Sequence, residues 1–317
     1  MKKWYLAGVL VPAVVVAAAL ASSASAGSPL AKAQAKPQMM KPWVEGSSRS
    51  RPRRSNNLTY HGGVGGIGVE TAPKLYLVFW GSQWNGNDPS GEAGTLESFY
   101  SGVGGSSWLN SVTQYCQAVA SGTTFCNGAG QAASNAVTFA GTYQDNGSAA
   151  PAHPTQSQLA AEAVKAAAHF GNTAAGSNVT TQYVIATATG NSASGFGTQY
   201  CAWHSSTSSS YGNVAYTNLP YITDAGTSCG ANFNGLGPKA GITIVSGHEM
   251  AETITDQFPN GGWLDGSGEE NGDKCAWITS GNQGASANIT LPTGTFPVQS
   301  LWSNAFDNDA GGCVLSY

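Results

Sequence analysis

The stretch Lys74-Leu-Tyr-Leu-Val-Phe-Trp80 is apolar and aromatic and is bounded by Pro73 and Gly81, as expected for a short buried β-strand. The sequence predicts two similar strands, at residues 181–188 and 213–217. It also predicts four helices, at residues 95–101, 108–114, 156–170 and 240–256. Short strands and loops are expected in the last 40 residues. Because strands and helices alternate, we expect a single large α/β domain with a mixed sheet flanked by helices.

The composition excludes several classes of protein. Only 9% of the 317 residues are charged, while 41% are hydrophobic. A disordered chain would have fewer apolar residues and more charge, and a coiled coil would be rich in Glu, Lys and Leu. We therefore expect a globular protein with a polar but weakly charged surface.

The charges are distributed unevenly along the chain. From Asn57 onward there are four Lys and no Arg, against 16 acidic residues, which gives this part a formal charge of −12. Binding to nucleic acid or to an anionic membrane requires a basic surface. Both partners are therefore excluded, and cations are favoured.

The N-terminus resembles a secretory signal peptide over residues 1–26. A basic start is followed by an apolar stretch and by Ala24-Ser25-Ala26, an A-x-A cleavage site. A membrane anchor is the alternative, but the stretch contains Pro12 and lacks a basic flank at its far end. We expect a secreted, extracellular protein with no membrane association after signal removal.

Residues 27–56 form a basic segment with little core-forming periodicity. They end near Arg51-Pro52-Arg53-Arg54, which trypsin-like processing enzymes could cut. The segment is interpreted as a propeptide or linker, and a flexible arm is the alternative. The folded domain is then expected over residues 57–317.

Six cysteines in an exported chain without a C-x-x-C pair favour three disulfides over a thiolate metal site. Fifteen pairings are formally open. Proximity along the chain favours pairing of Cys116 with Cys126, Cys201 with Cys229, and Cys275 with Cys313.

The main chemical motif is His248-Glu-Met-Ala-Glu252, an H-E-x-x-E pattern on the helix predicted at residues 240–256. Residues four apart share one helix face, so His248 and Glu252 can bind the same cation. Glu249 lies further round the helix and can act on a metal-bound water. This is the logic of the H-E-x-x-H metallopeptidase helix, with a carboxylate in place of the second imidazole.

The acidic loop at residues 265–273 strengthens the metal hypothesis, because clustered carboxylates repel one another without a cation. A catalytic zinc needs three protein ligands and a water. We expect Glu270 or Asp273 to complete the set, with Asp256 and His204 as further candidates.

The same loop supports a second hypothesis. Oxygen-bearing side chains occur at alternate positions from Asp265 to Asp273, as in calcium loops. The glycine and the closing glutamate of an EF-hand are absent, so that motif is excluded. A structural calcium ion in the loop stays an alternative that is compatible with zinc on the helix.

Several segments together resemble the EXORDIUM-like (phosphate-induced protein 1) family of secreted proteins. They are, in order, residues 60–63, 74–81, 248–252, 270–275, 299–304 and 312–314. Where the family is expected to have Pro after the helix, this chain has Gln257. The resemblance implies an extracellular protein with cell-wall or growth associations, and it supports the importance of His248, Glu249, Glu252, Glu270 and Asp273 without assigning a reaction.

These observations favour a secreted zinc-dependent hydrolase, most consistent with an endopeptidase acting on a peptide or protein. His248, Glu252 and a loop carboxylate would hold the metal, and Glu249 would be the general base. The alternative is a non-catalytic, EXORDIUM-like extracellular protein that contacts a cell-wall component and holds structural zinc or calcium.

Overall fold

The computed structural model describes residues 1–2, 34–45 and 57–317. The expected signal peptide and most of the basic segment lie outside the described residues. The strands are β1 (Gln38–Met40), β2 (Thr59–Tyr60), β3 (Lys74–Trp80), β4 (Cys116–Gln117), β5 (Gln131–Ala132), β6 (Thr138–Asp145), β7 (Thr181–Thr187), β8 (Ala202–Ser209), β9 (Gly212–Leu219), β10 (Trp263–Leu264), β11 (Ala287–Leu291), β12 (Gly294–Val298), β13 (Leu301–Ser303) and β14 (Gly312–Val314). The helices are α1 (Glu92–Val103), α2 (Gln156–His169), α3 (Ala240–Thr255) and the short α4 (Phe306–Asp309).

A six-stranded mixed sheet forms the centre of the domain, in the order β1-β8-β9-β7-β3-β6. Strand β3 is parallel to both β6 and β7, and β7 is parallel to β9. Strands β8 and β1 run antiparallel to their neighbours and form one edge of the sheet. The expected mixed α/β sheet flanked by helices is therefore confirmed.

Side chains that alternate along the strands contribute to two hydrophobic clusters, one on each face of the sheet. In β3, Leu75 and Leu77 face the cluster that contains α1 and α3, whereas Val78 faces the cluster that contains α2. This is the period of two that places successive side chains on opposite faces of a sheet. Helices α1 and α3 thus cover one face and α2 covers the other.

Helix α3 is buried along its whole length. It packs on the sheet at β8 and β9 and is covered by α1 and by the β11–β12 hairpin. A helix enclosed on all sides must have its polar groups satisfied internally or by a ligand. The H-E-x-x-E motif is on this helix, so its charged groups lie inside the protein.

Residues 34–45 pack onto the domain, although the sequence analysis assigned them to a segment that precedes it. Strand β1 pairs with β8 so that Gln38 lies opposite His204. Met40 is completely buried, and its carbonyl accepts a hydrogen bond from the backbone N–H of Cys201. The fold therefore begins before residue 57.

Three disulfides are formed with the pairing expected from proximity, between Cys116 and Cys126, Cys201 and Cys229, and Cys275 and Cys313. The second joins the start of β8 to a 3₁₀ segment, Ile222–Cys229. The third joins Cys275, two residues after the acidic loop, to β14. Such links stabilise a fold chiefly by restricting the unfolded chain.

The predicted strands and helices are present, but several differ at their ends and one is a 3₁₀ helix. Strand β3 has the predicted bounds, and α3 ends one residue early. The stretch predicted as a helix at residues 108–114 is a 3₁₀ helix, Leu109–Gln114. Among the described residues, no helix has the length and apolar character that crossing a membrane requires.

A buried carboxyl group on this fold generates a test of its stability. Burial raises the pKa of Glu70 to about 8, although a hydrogen bond from Gln182 opposes the rise. Because the folded-state pKa exceeds the ordinary value of 4.5, folding takes up a proton between pH 4.5 and 8. This contribution to stability is present at low pH and is lost as the pH rises. Each unit corresponds to about 1.4 kcal/mol, so the loss amounts to several kcal/mol.

Glu70→Gln should therefore be more stable than the unsubstituted protein at pH 8 and should show a shallower fall in melting temperature between pH 5 and 8. Glu97→Gln, at a half-buried glutamate on α1, is the matched control and should follow the unsubstituted protein. Parallel curves for Glu70→Gln and the unsubstituted protein would contradict the assignment.

Candidate metal centre

Helix α3 supplies three groups to the candidate metal centre. His248 and Glu252 lie one turn apart, and His248 Nε2 is 3.0 Å from Glu252 Oε1. Both side chains are fully buried, and Glu249 is 1% exposed. The expected shared helix face is thus present.

The sheet supplies a second imidazole. In β8, Ala202 packs in the cluster that contains α3, and alternation turns His204 to the same side. His204 Nε2 is 2.9 Å from Glu270 Oε2 and 3.7 Å from Glu252 Oε2. His204 therefore lies opposite the helix motif from which it is separated by more than 40 residues.

The acidic loop reaches the helix because of one glycine. A Cβ on Gly272 would lie 2.8 Å from His248 Nδ1 and 2.9 Å from Glu252 Oε1, closer than such contacts occur. With no side chain there, the backbone N–H of Asp273 donates to Glu252 Oε1 at 2.8 Å. Asp273 Oδ1 then lies 3.8 Å from His248 Nε2.

Gln299 fixes the orientation of His248. The amide nitrogen of Gln299 donates to the carbonyls of Gly272 and Ser300, which leaves Oε1 as the acceptor for His248 Nδ1 at 3.1 Å. A neutral His248 therefore carries its proton on Nδ1 and its lone pair on Nε2. Such an outer partner is what a metal-binding histidine needs.

These side chains form two groups of three that share Glu252. One group contains His248, Glu252 and Asp273, and the other contains His204, Glu252 and Glu270. Within each group one ligand atom per residue lies within 4.8 Å of the others. The two loop acids proposed as metal ligands thus belong to different groups.

The two histidines have opposite pKa shifts. Burial lowers the pKa of His204 to about 4, against the opposing effect of Glu252. Burial also acts to lower the pKa of His248, but Glu252, Glu249 and Asp273 together raise it to about 10. His204 is therefore neutral at pH 7 and able to donate a lone pair.

The pKa shifts of the carboxyl groups show that keeping them ionised in this buried cluster is unfavourable. Burial raises the pKa of Glu249 and of Glu270 well above the ordinary value, and neighbouring carboxylates raise it further. Burial and Glu252 raise the pKa of Asp273 to about 7. For Glu252 burial is outweighed by His248, and its pKa is lowered. Such repulsion is what a bound cation would relieve.

Several buried polar atoms in the cluster have no hydrogen-bond partner among the described residues. They are His204 Nδ1, Glu252 Oε2 and Glu270 Oε1, and no side chain hydrogen-bonds either oxygen of Glu249. Buried polar atoms are rarely left unpaired, because each costs about 1–3 kcal/mol. The donor set of imidazole nitrogen and carboxylate oxygen fits zinc.

The N-terminal segment covers the centre. The backbone N–H of Met40 faces the Glu249 carboxylate and lowers its pKa, and the charge of Lys41 has the same effect on Asp273. Trp277 Nε1 donates to the Lys41 carbonyl at 2.6 Å. Of the ligand side chains only Asp273 is partly exposed, at 16%. A surface cleft lined by residues 91–98, 236–243 and 293–297 includes none of the ligands.

Two carboxylates that the sequence suggested as cation ligands, those of Asp256 and Asp265, bind backbone N–H groups instead. Asp256 accepts hydrogen bonds from the backbone N–H groups of Asn260, Gly261 and Gly262, so it stabilises the turn after α3. Asp265 accepts from the N–H groups of Ser267 and Glu269 and from Lys274 Nζ at 2.8 Å. Within the described part of the acidic loop, only Glu270 and Asp273 join a ligand group.

Sequence reasoning missed Gln299, Gly272 and Met40 and left His204 as one of several candidates. The only sequence signal for Gln299 was its place in the closing segment of the family resemblance. Gly272 is one of 42 glycines and has no distinguishing feature in the sequence.

Comparisons with protein families, with curated proteins and with solved structures found no match. The resemblance to the EXORDIUM-like family therefore stays a prediction from the sequence motifs.

Gly272→Ala tests whether the close approach of the loop builds the centre. Gly272 has φ −78°, so alanine brings no backbone strain, and its methyl group would displace His248 or Glu252. We expect a loss of about 1–3 kcal/mol in stability and a lower metal content by mass spectrometry. Gly176→Ala, where a methyl group meets nothing within 4 Å, is the control. Equal metal content in both variants would count against the site.

Proposed function

We propose that the protein is a secreted, zinc-dependent hydrolase whose substrate is a peptide or protein. The observation that carries this proposal is the position of Glu249, a buried carboxylate beside His248, Glu252 and Asp273. Among the described residues no side chain hydrogen-bonds either of its oxygens, and the backbone N–H of Met40 faces it. A structural metal site does not require an additional carboxylate of this kind. A hydrolytic site needs a base next to the metal-bound water.

In this mechanism His248, Glu252 and Asp273 would hold the metal. Bound zinc would supply a water whose pKa is lowered to ~7 and would polarise the scissile carbonyl. Glu249 would accept a proton from the attacking water and deliver it to the leaving amine. Burial raises the pKa of Glu249, and a bound cation would oppose that rise, so that the carboxylate could accept the proton.

The Gln299 amide acts on the ligand rather than on the substrate. By accepting from His248 Nδ1 it keeps Nε2 directed at the metal position. Trp108 Nε1 donates to the Gln299 carbonyl at 2.7 Å and holds this residue in place. Gln299 is therefore a positioning residue.

The burial of all the ligands except Asp273, which is 16% exposed, favours a second candidate function, a non-catalytic extracellular protein with a structural ion. Cell-wall association, which the EXORDIUM-like resemblance implies, would fit that function. The two functions differ in whether the ion becomes accessible. The hydrolase proposal requires that the covering segment, residues 34–45, be displaced.

We further propose that residues 34–45 keep the precursor closed. The segment contributes an edge strand. Beyond β8 it is held by noncovalent contacts: Met40 enters the core, Trp43 packs on Phe233, and backbone carbonyls accept from Gln156 and Trp277. Cleavage in the basic stretch at residues 49–54 would leave it held by noncovalent contacts alone. Secretion and processing are thus parts of the same proposal.

Glu249→Gln separates the hydrolase from a metal-binding protein. It keeps the size of the side chain and removes the base, so zinc content and melting temperature should hold while casein hydrolysis falls ~10²-fold to 10⁴-fold. Glu97→Gln is the matched control and should retain activity. Hydrolysis that survives Glu249→Gln but not His248→Ala would assign the base elsewhere. If purified, processed protein shows no hydrolysis that depends on His248, the hydrolase proposal fails.

Limited cleavage with trypsin, followed by removal of the released segment, should raise casein hydrolysis at least ~10-fold, because the competent state becomes the major one. A synthetic peptide of residues 34–45 should inhibit the processed protein, and the same peptide with Met40→Asp should not, because Met40 enters the core. Equal rates before and after cleavage would show that the segment does not close the site.

A further inference from the structure

The carboxylate of Glu252 faces two imidazoles from its two oxygens. Oε1 lies 3.0 Å from His248 Nε2, and Oε2 lies 3.7 Å from His204 Nε2. A carboxylate in this position can bind one metal through each oxygen. We propose that the protein holds two divalent metal ions bridged by Glu252, the second bound by His204 and Glu270. This inference extends the proposed function, which needs only the first ion.

The second group has the dimensions of a metal site. Its three ligand atoms lie within 4.8 Å of one another, with His204 Nε2 2.9 Å from Glu270 Oε2. Ligands of a tetrahedral zinc lie about 3.3–3.6 Å apart, given metal–ligand bonds of about 2.0–2.2 Å. Small side-chain adjustments therefore bring the group to binding geometry.

Unpaired atoms point to an occupant of this second position. Glu252 Oε2 and Glu270 Oε1 are buried and have no hydrogen-bond partner in the described part of the chain. The residues that carry them are fully buried, as is His204. An ion at the first position, beside Oε1, leaves these atoms unsatisfied.

Charge balance also favours two ions. Four carboxylates face the centre, those of Glu249, Glu252, Glu270 and Asp273. When they are ionised, one divalent ion leaves two negative charges in a buried space, and two ions neutralise all four. Asp256 also interacts with Glu270, but it belongs to neither ligand group, and three backbone N–H groups stabilise its carboxylate.

A pair of ions about 3.5–4 Å apart is a known arrangement for hydrolysis, in which one ion stabilises the attacking oxygen and the other the opposite charge in the transition state. A carboxylate bridge gives such a spacing. Here His204 and Glu270 would be metal ligands rather than mere supports for Glu252. The substrate class, a peptide or protein, is unchanged.

Metal stoichiometry tests the inference directly. The full secreted chain is stripped with a chelator, titrated with Zn²⁺ alone and measured by calorimetry and by mass spectrometry of bound metal. We expect two ions per chain for the unsubstituted protein, one for His204→Ala and one for Asp273→Asn. His153→Ala, at an exposed histidine, is the control and should keep two. Circular dichroism identifies variants that fail to fold, and the count for the unsubstituted protein does not depend on any variant.

A second measurement uses Mn²⁺, whose unpaired electrons couple through a carboxylate bridge. The unsubstituted protein should give the electron paramagnetic resonance spectrum of a coupled pair, and His204→Ala that of an isolated ion. A single bound Zn²⁺ per chain, or uncoupled Mn²⁺, overturns the two-ion inference.

The number of bound ions and the presence of hydrolysis are tested independently of each other. One ion with hydrolysis that depends on Glu249 leaves the hydrolase intact and removes the second site. Two ions without hydrolysis by the processed protein support the second site and remove the hydrolase.

Discussion

The structure depends on the burial of several carboxyl groups and two imidazoles against one helix. Like charges in a medium of low dielectric repel one another strongly, and each buried unpaired charge costs several kcal/mol. Glu249, Glu252 and Glu270 are at most 1% exposed, and His248 is the nearest compensating group for Glu252. The protein must therefore hold these groups together by means that do not depend on their mutual interaction.

Those means are a disulfide, the absence of a side chain at Gly272 and backbone hydrogen bonds. The disulfide between Cys275 and Cys313 fixes the chain two residues after Asp273. Gly272 permits the loop backbone to touch the ligands, and the N–H of Asp273 binds Glu252 directly. The carbonyl of Asn271 accepts from the backbone N–H of Trp302, which joins the loop to β13. The loop is thus preorganised before any cation arrives, and cation binding would add to a site already built.

The sequence predicted those parts of the fold and site that local spacing determines. Strand β3 and helix α3 follow from apolar runs and their boundaries, and the shared face of His248 and Glu252 follows from helical geometry. The position of His204 depends on which face of β8 meets α3, and a shift of one residue in strand register would reverse it. The assignment of Glu270 and Asp273 to different imidazoles depends on the path of a loop. Neither is encoded in a local pattern.

The covering segment escaped prediction for a related reason and bears on how the centre can open. Three residues of β1 carry no periodicity to detect, and they are held by hydrogen bonds to β8 and by the insertion of Met40. An edge strand can leave a sheet without breaking the pairs inside it, and such elements lie at the low end of local stability. The ligands lie instead on α3, on β8 and on a loop closed by a disulfide. Departure of β1 would therefore expose the Glu249 side of the centre while the ligands keep their places, which is the asymmetry that a hydrolase activated by processing requires.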